Sequence, residues 1–311
     1  MKRASFVALS AMASLQAFPA SAQTPVKIRA ATGAVEEFAL PYYALQKGFF
    51  RDAGLDIDLT FIPGGGAITQ ALAAGALDLA VTNSGSLAAA HARGLPVYLL
   101  TPCSVFSQMQ PIAHVVVSKN SSIREAKDLA GKTIGVTTLR DMIQAAVMCW
   151  IDQHGGSAKD AKWFELTSGE IGPALSAGRL DAAAIVEPFY TQLADKFTNI
   201  GFPYQNMNGG KPFQTTGAIG YKPWVDANRD ATRRFVQALL KTADWANKNP
   251  AEVTTLLGQL TKVDPAALMA YHRVSYSTSS DPRLVQPVID AIAKYGFISH
   301  AFPATEMVMP A

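Results

Sequence analysis

The chain has 311 residues, 49% of them hydrophobic, a formal net charge of +3 and only two cysteines. Such apolar content supports ordinary globular cores, and the length favours two lobes over one. A near-neutral chain without a basic run lacks the electrostatic footprint of a nucleic-acid-binding protein. Lys2 and Arg3 open a short positive region, 4–18 is apolar apart from small polar residues, and Pro19 leads into Ala20-Ser21-Ala22. That small-x-small pattern is what signal peptidase accepts, so cleavage after Ala22 is expected, with Gln23 as the new N-terminus. Loss of Lys2 and Arg3 takes the charge to +1. The first cysteine is Cys103, so no lipid-anchoring cysteine follows the cleavage point, and a free periplasmic protein is expected rather than a lipoprotein. No later run approaches the ~18 consecutive apolar residues of a membrane span. Cys103 and Cys149 are expected to stay unpaired, Cys149 as a thiol buried in an apolar helix.

In chain order, 26–30 reads as a strand and 41–47 as a helix ending at Gly48. Residues 56–61 alternate with period two, as a half-buried strand does. Gly64-Gly65-Gly66 opens a helix that runs to Gly75, 77–81 is a strand, 84–93 a helix stopped by Gly94, and 97–100 a strand. A second set starts near Gln110: strands at 113–118, 133–136, 163–166 and 182–186, with helices around 123–129, 142–154 and 171–177. Beyond Thr216 the chain reads as mainly helical. Residues 230–247 are amphipathic, with Phe235, Leu239, Ala243 and Ala246 on one face. Asn249-Pro250 with Glu252 has capping-box spacing, and Asp264-Pro265 and Asp281-Pro282 repeat the cap-plus-proline signal.

Strands alternating with helices predict an α/β protein with mainly parallel sheets flanked by helices. The helical tail packing on the first set's sheet would make one discontinuous lobe (23–110 and 213–311) and one inserted lobe (111–212), behind a leader at 1–22. Asp78 and Asp181 sit at similar points in the two sets, each after a helix-ending glycine, Gly75 and Gly178. A shared wiring of the two lobes would explain this.

No catalytic or metal-binding constellation is visible. The five histidines are scattered without metal-ligand spacing, and no His-Glu-x-x-His or Gly-x-Ser-x-Gly motif is present. Gly131-Lys132-Thr133 lacks the upstream glycine of a phosphate-binding loop, since Ala126 stands there. Neither a metal nor a cofactor is expected.

Ligands of open α/β sheets bind outside the carboxyl ends of strands. Applied to both sets, that rule selects Thr32, Gly33, Glu36 and Glu37 after the first strand, Gly64 to Gly66 after the second and Thr82, Asn83 and Ser84 after the third. In the second set it selects Thr137, Thr138, Arg140 and Glu187. The candidate ligand-binding residues are thus Glu36, Gly65, Asn83, Ser84, Thr137, Thr138, Arg140 and Glu187. Helix-start hydroxyls and amides, with Arg140 as a two-pronged clamp, suit an acid; Glu36 and Glu187 suit a ligand with N–H donors. Arg140 could instead pair with Asp141, and the helix-start residues could be caps.

Several segments resemble one known family. They are Tyr43-Ala44-Leu45-Gln46-Lys47-Gly48-Phe49-Phe50, Ala53-Gly54-Leu55-Asp56-Ile57, the run from Ala71 to Ala80 and Gly94-Leu95-Pro96-Val97. In the second set they continue with Asp128-Leu129-Ala130-Gly131-Lys132-Thr133-Ile134-Gly135-Val136, Ala174 to Ala182 and Glu187-Pro188. Their order and spacing resemble the nitrate/sulfonate/taurine-type solute-binding proteins, the SsuA/THI5-like or NMT1-like superfamily. The resemblance implies a two-lobed, type II-like periplasmic binding fold with the ligand cleft between the lobes. It implies a monomer that captures a small polar solute (sulfonate, nitrate, taurine or pyrimidine-like) by closure and delivers it to an ABC permease. The alternatives it leaves are a pyrimidine-synthase-like enzyme of thiamine biosynthesis, whose relatives carry a cysteine-rich segment that this chain lacks, and a solute sensor for a membrane receptor.

Overall fold

A computed structural model describes residues 25–269 and 273–309; the expected leader and its cleavage point lie outside them. The chain opens with β1 (Val26–Thr32), α1 (Leu40–Gln46), α2 (Phe49–Asp52), β2 (Leu55–Phe61), α3 (Gly65–Ala73), β3 (Leu79–Asn83), α4 (Ser84–Ala92) and β4 (Val97–Val105). Next come β5 (Ala113–Ser118), β6 (Thr133–Val136), α5 (Met142–Gln153), β7 (Lys162–Glu165), α6 (Ser168–Ser176), β8 (Ala182–Val186), α7 (Phe189–Leu193) and β9 (Phe197–Gly201). It returns through β10 (Gln214–Tyr221), α8 (Lys222–Ala227), α9 (Arg229–Lys248), α10 (Pro250–Thr261), α11 (Pro265–Leu268), β11 (Ser275–Tyr276) and α12 (Gln286–Lys294). Where the sequence pattern is strong, the elements follow it. In β2, Leu55 and Ile57 are buried and Asp56 and Asp58 exposed. In α9, Phe235, Leu239, Ala243 and Ala246 are all buried, with Phe235 stacked on Phe50 at 5.1 Å.

Two sheets result, ordered β2-β1-β3-β10-β4-β11 and β7-β6-β8-β5-β9. They are mixed, which corrects the expectation of mainly parallel sheets. Helix-linked β1, β2 and β3 are parallel, but β10 lies antiparallel between β3 and β4. In the second sheet β6, β7 and β8 are parallel and β5 lies antiparallel between β8 and β9. β10 and β5 each enter their sheet directly from the other one. A strand that starts at the carboxyl edge of its neighbours must run against them. The tail after Thr216 is mainly helical, as expected, but it opens with the end of β10, which occupies the interior of the first sheet.

The two sheets share one wiring. Leaving aside the inserted antiparallel strand of each and the two-residue edge strand β11, each runs second, first, third, fourth. Asp78 accepts from the backbone N–H of Arg29 beside it at 2.8 Å, and Asp181 accepts from that of Thr133 at 2.8 Å. The amides of Asp78 and Asp181 return bonds to the Arg29 and Thr133 carbonyls. Both aspartates hold the first and third strands in register.

Register places the two carboxyl edges toward each other. Thr216 pairs with Asn83 and Gln214 with Val105, so β10 starts where β3 and β4 end. Ala113 pairs with Val186, so β5 starts where β8 ends. The two crossings, 106–112 and 202–213, leave from these edges. Phe106, Tyr204 and Phe213 pack on one another there, with Phe106 and Phe213 stacked at 5.2 Å.

Local expectations divide. Asp264 and Asp281 cap the turns that follow them, each accepting a backbone N–H at 2.9 Å. Asn249 does not form the expected capping box: its amide donates back to Trp245 O, and Glu252 pairs with Lys47 at 2.7 Å. Cys103 and Cys149 are buried free thiols. Burial pushes the Cys103 thiol up to about 12 and raises that of Cys149.

Candidate functional site

The β3–α4 corner is closely built, at the carboxyl edge of the first sheet. Asn83 is the N-cap of α4, its Oδ1 accepting from Ser86 N at 2.7 Å. The loop before α3 lies against it, with Thr82 Oγ1 donating to Gly65 O at 3.1 Å. Only glycine fits at 65, because a Cβ would stand 2.5 Å from Asn83 Nδ2 and 2.7 Å from Ser86 Oγ. Gly65, Asn83 and Ser84 are thus brought together. Ser84, the first residue of α4, is fully buried and its Oγ has no hydrogen-bond partner.

From the second sheet, Asp141 reaches this corner. It is the N-cap of α5, accepting from Met142 N at 2.6 Å. The same carboxylate accepts from Asn83 Nδ2 and Ser86 Oγ, both at 2.9 Å. A Cβ at Gly85 would collide with Asp141 Oδ1 and stand 2.6 Å from Met142 N, so α4 and α5 meet start to start at a glycine. Asp141 is 3% exposed. Burial raises its pKa, opposed by the bonds from Met142, Asn83 and Ser86.

Glu36 and Glu37 part company after β1. They lie in a 3₁₀ turn, Glu36–Phe38, where successive side chains diverge by a third of a turn. Glu36 is held by the chain itself: Arg273 Nε donates to it at 2.9 Å and Val274 N at 3.2 Å. Glu37 carries the orphaned carboxylate. It is buried, and its Oε1 has no partner. Desolvation pushes its pKa up to about 7, with the Thr215 hydroxyl opposing and the Glu36 charge adding to the rise. Its backbone is pinned by Ser104 Oγ and Thr216 Oγ1, which donate to Glu37 O at 3.0 and 2.8 Å. Burial raises the Tyr204 phenol well above its ordinary value, and the charges of Glu37 and Asp141 both add to the rise. Tyr204 therefore lies within electrostatic reach of both acids.

At the end of β8, Glu187 is also buried. It accepts from Thr191 N at 3.2 Å and Thr191 Oγ1 at 2.9 Å, and its Oε1 lies 3.5 Å from His114 Nε2. His114 is stacked on Tyr190 at 3.7 Å and meets Phe202 edge-on at 5.4 Å; its Nε2 has no hydrogen-bond partner. The segment containing Phe202 and Tyr204 thus meets His114 directly and lies within electrostatic reach of Glu37 and Asp141. Thr137 and Thr138 are half-buried in the turn after β6. Arg140 is exposed and faces the C-terminal segment. Its guanidinium donates to Gly296 O at 2.6 Å and Phe297 O at 3.1 Å, just past the end of α12, where a cation complements the helix dipole. Asp141, next in sequence, turns the opposite way.

Residues 36–253 match the family described as NMT1/THI5 like. The chain belongs to that family. A formylaminopyrimidine-binding protein of Halalkalibacterium halodurans is 26% identical over 229 residues, covering 72% of this chain and 66% of the relative. The 4-amino-5-hydroxymethyl-2-methylpyrimidine phosphate synthase THI13 of Saccharomyces cerevisiae is 24% identical, covering 69% of this chain and 65% of the relative. Among solved structures, the alkanesulfonate-binding protein SsuA of Xanthomonas axonopodis pv. citri bound to MOPS superposes with a TM-score of 0.78 at 18% identity, covering 92% of this chain and 99% of that one. The fold is that of the periplasmic binding proteins.

Strand-end reasoning reached Asn83, Ser84, Gly65 and Glu187, but it passed over Asp141, His114 and Tyr204 and selected Glu36 over Glu37. For Asp141 a signal existed: an aspartate directly before the twelve-residue helix α5, whose first ten residues are all buried, has to be a buried cap. His114 and Tyr204 carry no such mark.

Proposed function

We propose that the chain is the solute-binding component of an ABC importer, exported to the periplasm, and that it closes its two lobes (23–110 with 213–311, and 111–212) around a small solute rich in N–H donors. The observation that carries this reading is the set of buried carboxylates at the crevice, Glu37, Asp141 and Glu187. Among the described residues no lysine or arginine pairs with any of them. Of the three, Glu37 has an unmade bond, at Oε1; such a buried polar atom costs about 1–3 kcal/mol, and an N–H donor from the solute relieves that cost.

An aminopyrimidine or related polar heterocycle matches this pattern better than nitrate or a sulfonate, which would bring a further anion to the acids. The relative described as a formylaminopyrimidine-binding protein supports the same class. Binding rather than catalysis is favoured by the fold shared with binding proteins and by two thiols that burial holds protonated. The test is a thermal-shift and calorimetric screen of residues 23–311 with aminopyrimidines, purines, taurine, nitrate and alkanesulfonates. A ligand at a hundred times its dissociation constant stabilises the native state by about 2.7 kcal/mol. Stabilisation by N–H-bearing heterocycles is expected; stabilisation by nitrate or sulfonates alone would refute the reading.

A further inference from the structure

The starts of α4 and α5 meet where the two sheets face each other. These helices have nine and twelve residues, and each start carries N–H groups without an intrahelical partner and the positive end of its dipole. Two opposed helix starts form a natural cradle for an anion. In this chain the anion is internal. Asp141 accepts from Met142 N at the start of α5 and, with the same carboxylate, from Asn83 Nδ2 and Ser86 Oγ at the start of α4. It lies so close to Gly85 that no side chain fits there. Beside it Ser84 Oγ, fully buried, has no partner, so the corner retains a polar atom directed at no group of the chain.

We infer that Asp141 is the specificity-determining residue of this crevice, occupying from the second sheet the cradle in which an anionic solute would dock and so excluding oxyanions. The exclusion has two parts. The carboxylate takes the side-chain donors of the corner, and its charge repels a second anion in a site closed to water, where screening is weak. A neutral solute with N–H donors meets neither obstacle. The contact joins an element of the second sheet to the start of α4 in the first.

This inference rests on the binding-protein reading, and the experiment separates the two. Binding of methanesulfonate, nitrate and a 4-aminopyrimidine is measured by titration calorimetry for the full chain and for the Asp141→Ser and Asp141→Asn variants, each checked for native melting and circular dichroism. The unaltered chain is expected not to bind either anion. Asp141→Ser, which removes the charge and leaves room between the helix starts, is expected to gain at least tenfold in methanesulfonate affinity. Asp141→Asn, neutral but of the same shape, is expected to gain less. Anion binding by the unaltered chain equal to that of a folded Asp141→Ser variant overturns the inference, as does a folded Asp141→Ser variant with no gain. Should no form bind the aminopyrimidine while Asp141→Ser gains methanesulfonate, the donor-rich ligand class falls and the role of Asp141 stands.

Discussion

Glu37 makes a quantitative test of the crevice. Its carboxyl is buried, and its pKa rises from an ordinary 4.5 to about 7. Between these values the folded chain keeps a proton that the unfolded chain has released. The native state then binds more protons, and stability falls as pH rises. At about 1.4 kcal/mol per pH unit, the loss amounts to about 3 kcal/mol by the time pH passes 7. The perturbation is Glu37→Gln, which fixes the group in a neutral form of nearly the same shape. Melting temperatures of both proteins are recorded from about pH 4.5 to 8. Asp128, Glu170, Asp181 and Asp281, whose pKa values are lowered, drive the opposite trend, but they are common to both proteins and cancel in the difference. The Gln variant is expected to gain on the unaltered chain as pH rises, by several degrees in all at roughly 2 °C per kcal/mol. A difference that stays constant with pH would show that Glu37 does not hold the proton and would remove the main support for an orphaned acid in the crevice.

Other consequences can be checked singly. Gly85→Ala forces a methyl group against Asp141 and Met142 N; a loss of about 1–3 kcal/mol is expected in chemical denaturation, and a null effect would mean the two helix starts do not meet. Glu187→Ala strips Thr191 and His114 of their carboxylate, with an expected cost of about 1–3 kcal/mol and weaker binding of any N–H-bearing solute. Cys103, fully buried, is expected to react with a thiol reagent only at the rate of unfolding; fast labelling of it in the native protein would contradict its placement. Mass spectrometry of the secreted form is expected to find Gln23 at the N-terminus, and an intact leader would remove the export reading.

What was legible in the sequence is whatever repeats locally. The period-two pattern of β2, the apolar face of α9 and the aspartate caps at 264 and 281 depend on neighbours a few residues away. The paired Asp78 and Asp181 were legible for the same reason, since each follows a helix-ending glycine at one spacing. β10 was not legible. Gln214 to Gly220 are all buried, so no alternation marks the strand, and its two glycines dilute its strand propensity. Its partners in β3 and β4 lie more than a hundred residues earlier.

The sequence by itself determined most of the two sets of strands and helices, though not α7 or β9, their order, and the strand-end loops in which Asn83, Ser84 and Glu187 would stand, because these follow from patterning, capping and the wiring of βα units. Tertiary structure decided the rest. A 3₁₀ turn sends Glu36 to Arg273 and leaves Glu37 with one carboxylate oxygen, Oε1, unpartnered, a rotation that no periodicity encodes. Asp141 meets Asn83 and Ser86 only because the starts of α4 and α5 are brought together across the two sheets. The charge of the crevice is therefore a property of the assembled fold, since burial decides which acids lose their solvent and packing decides which of them find a partner.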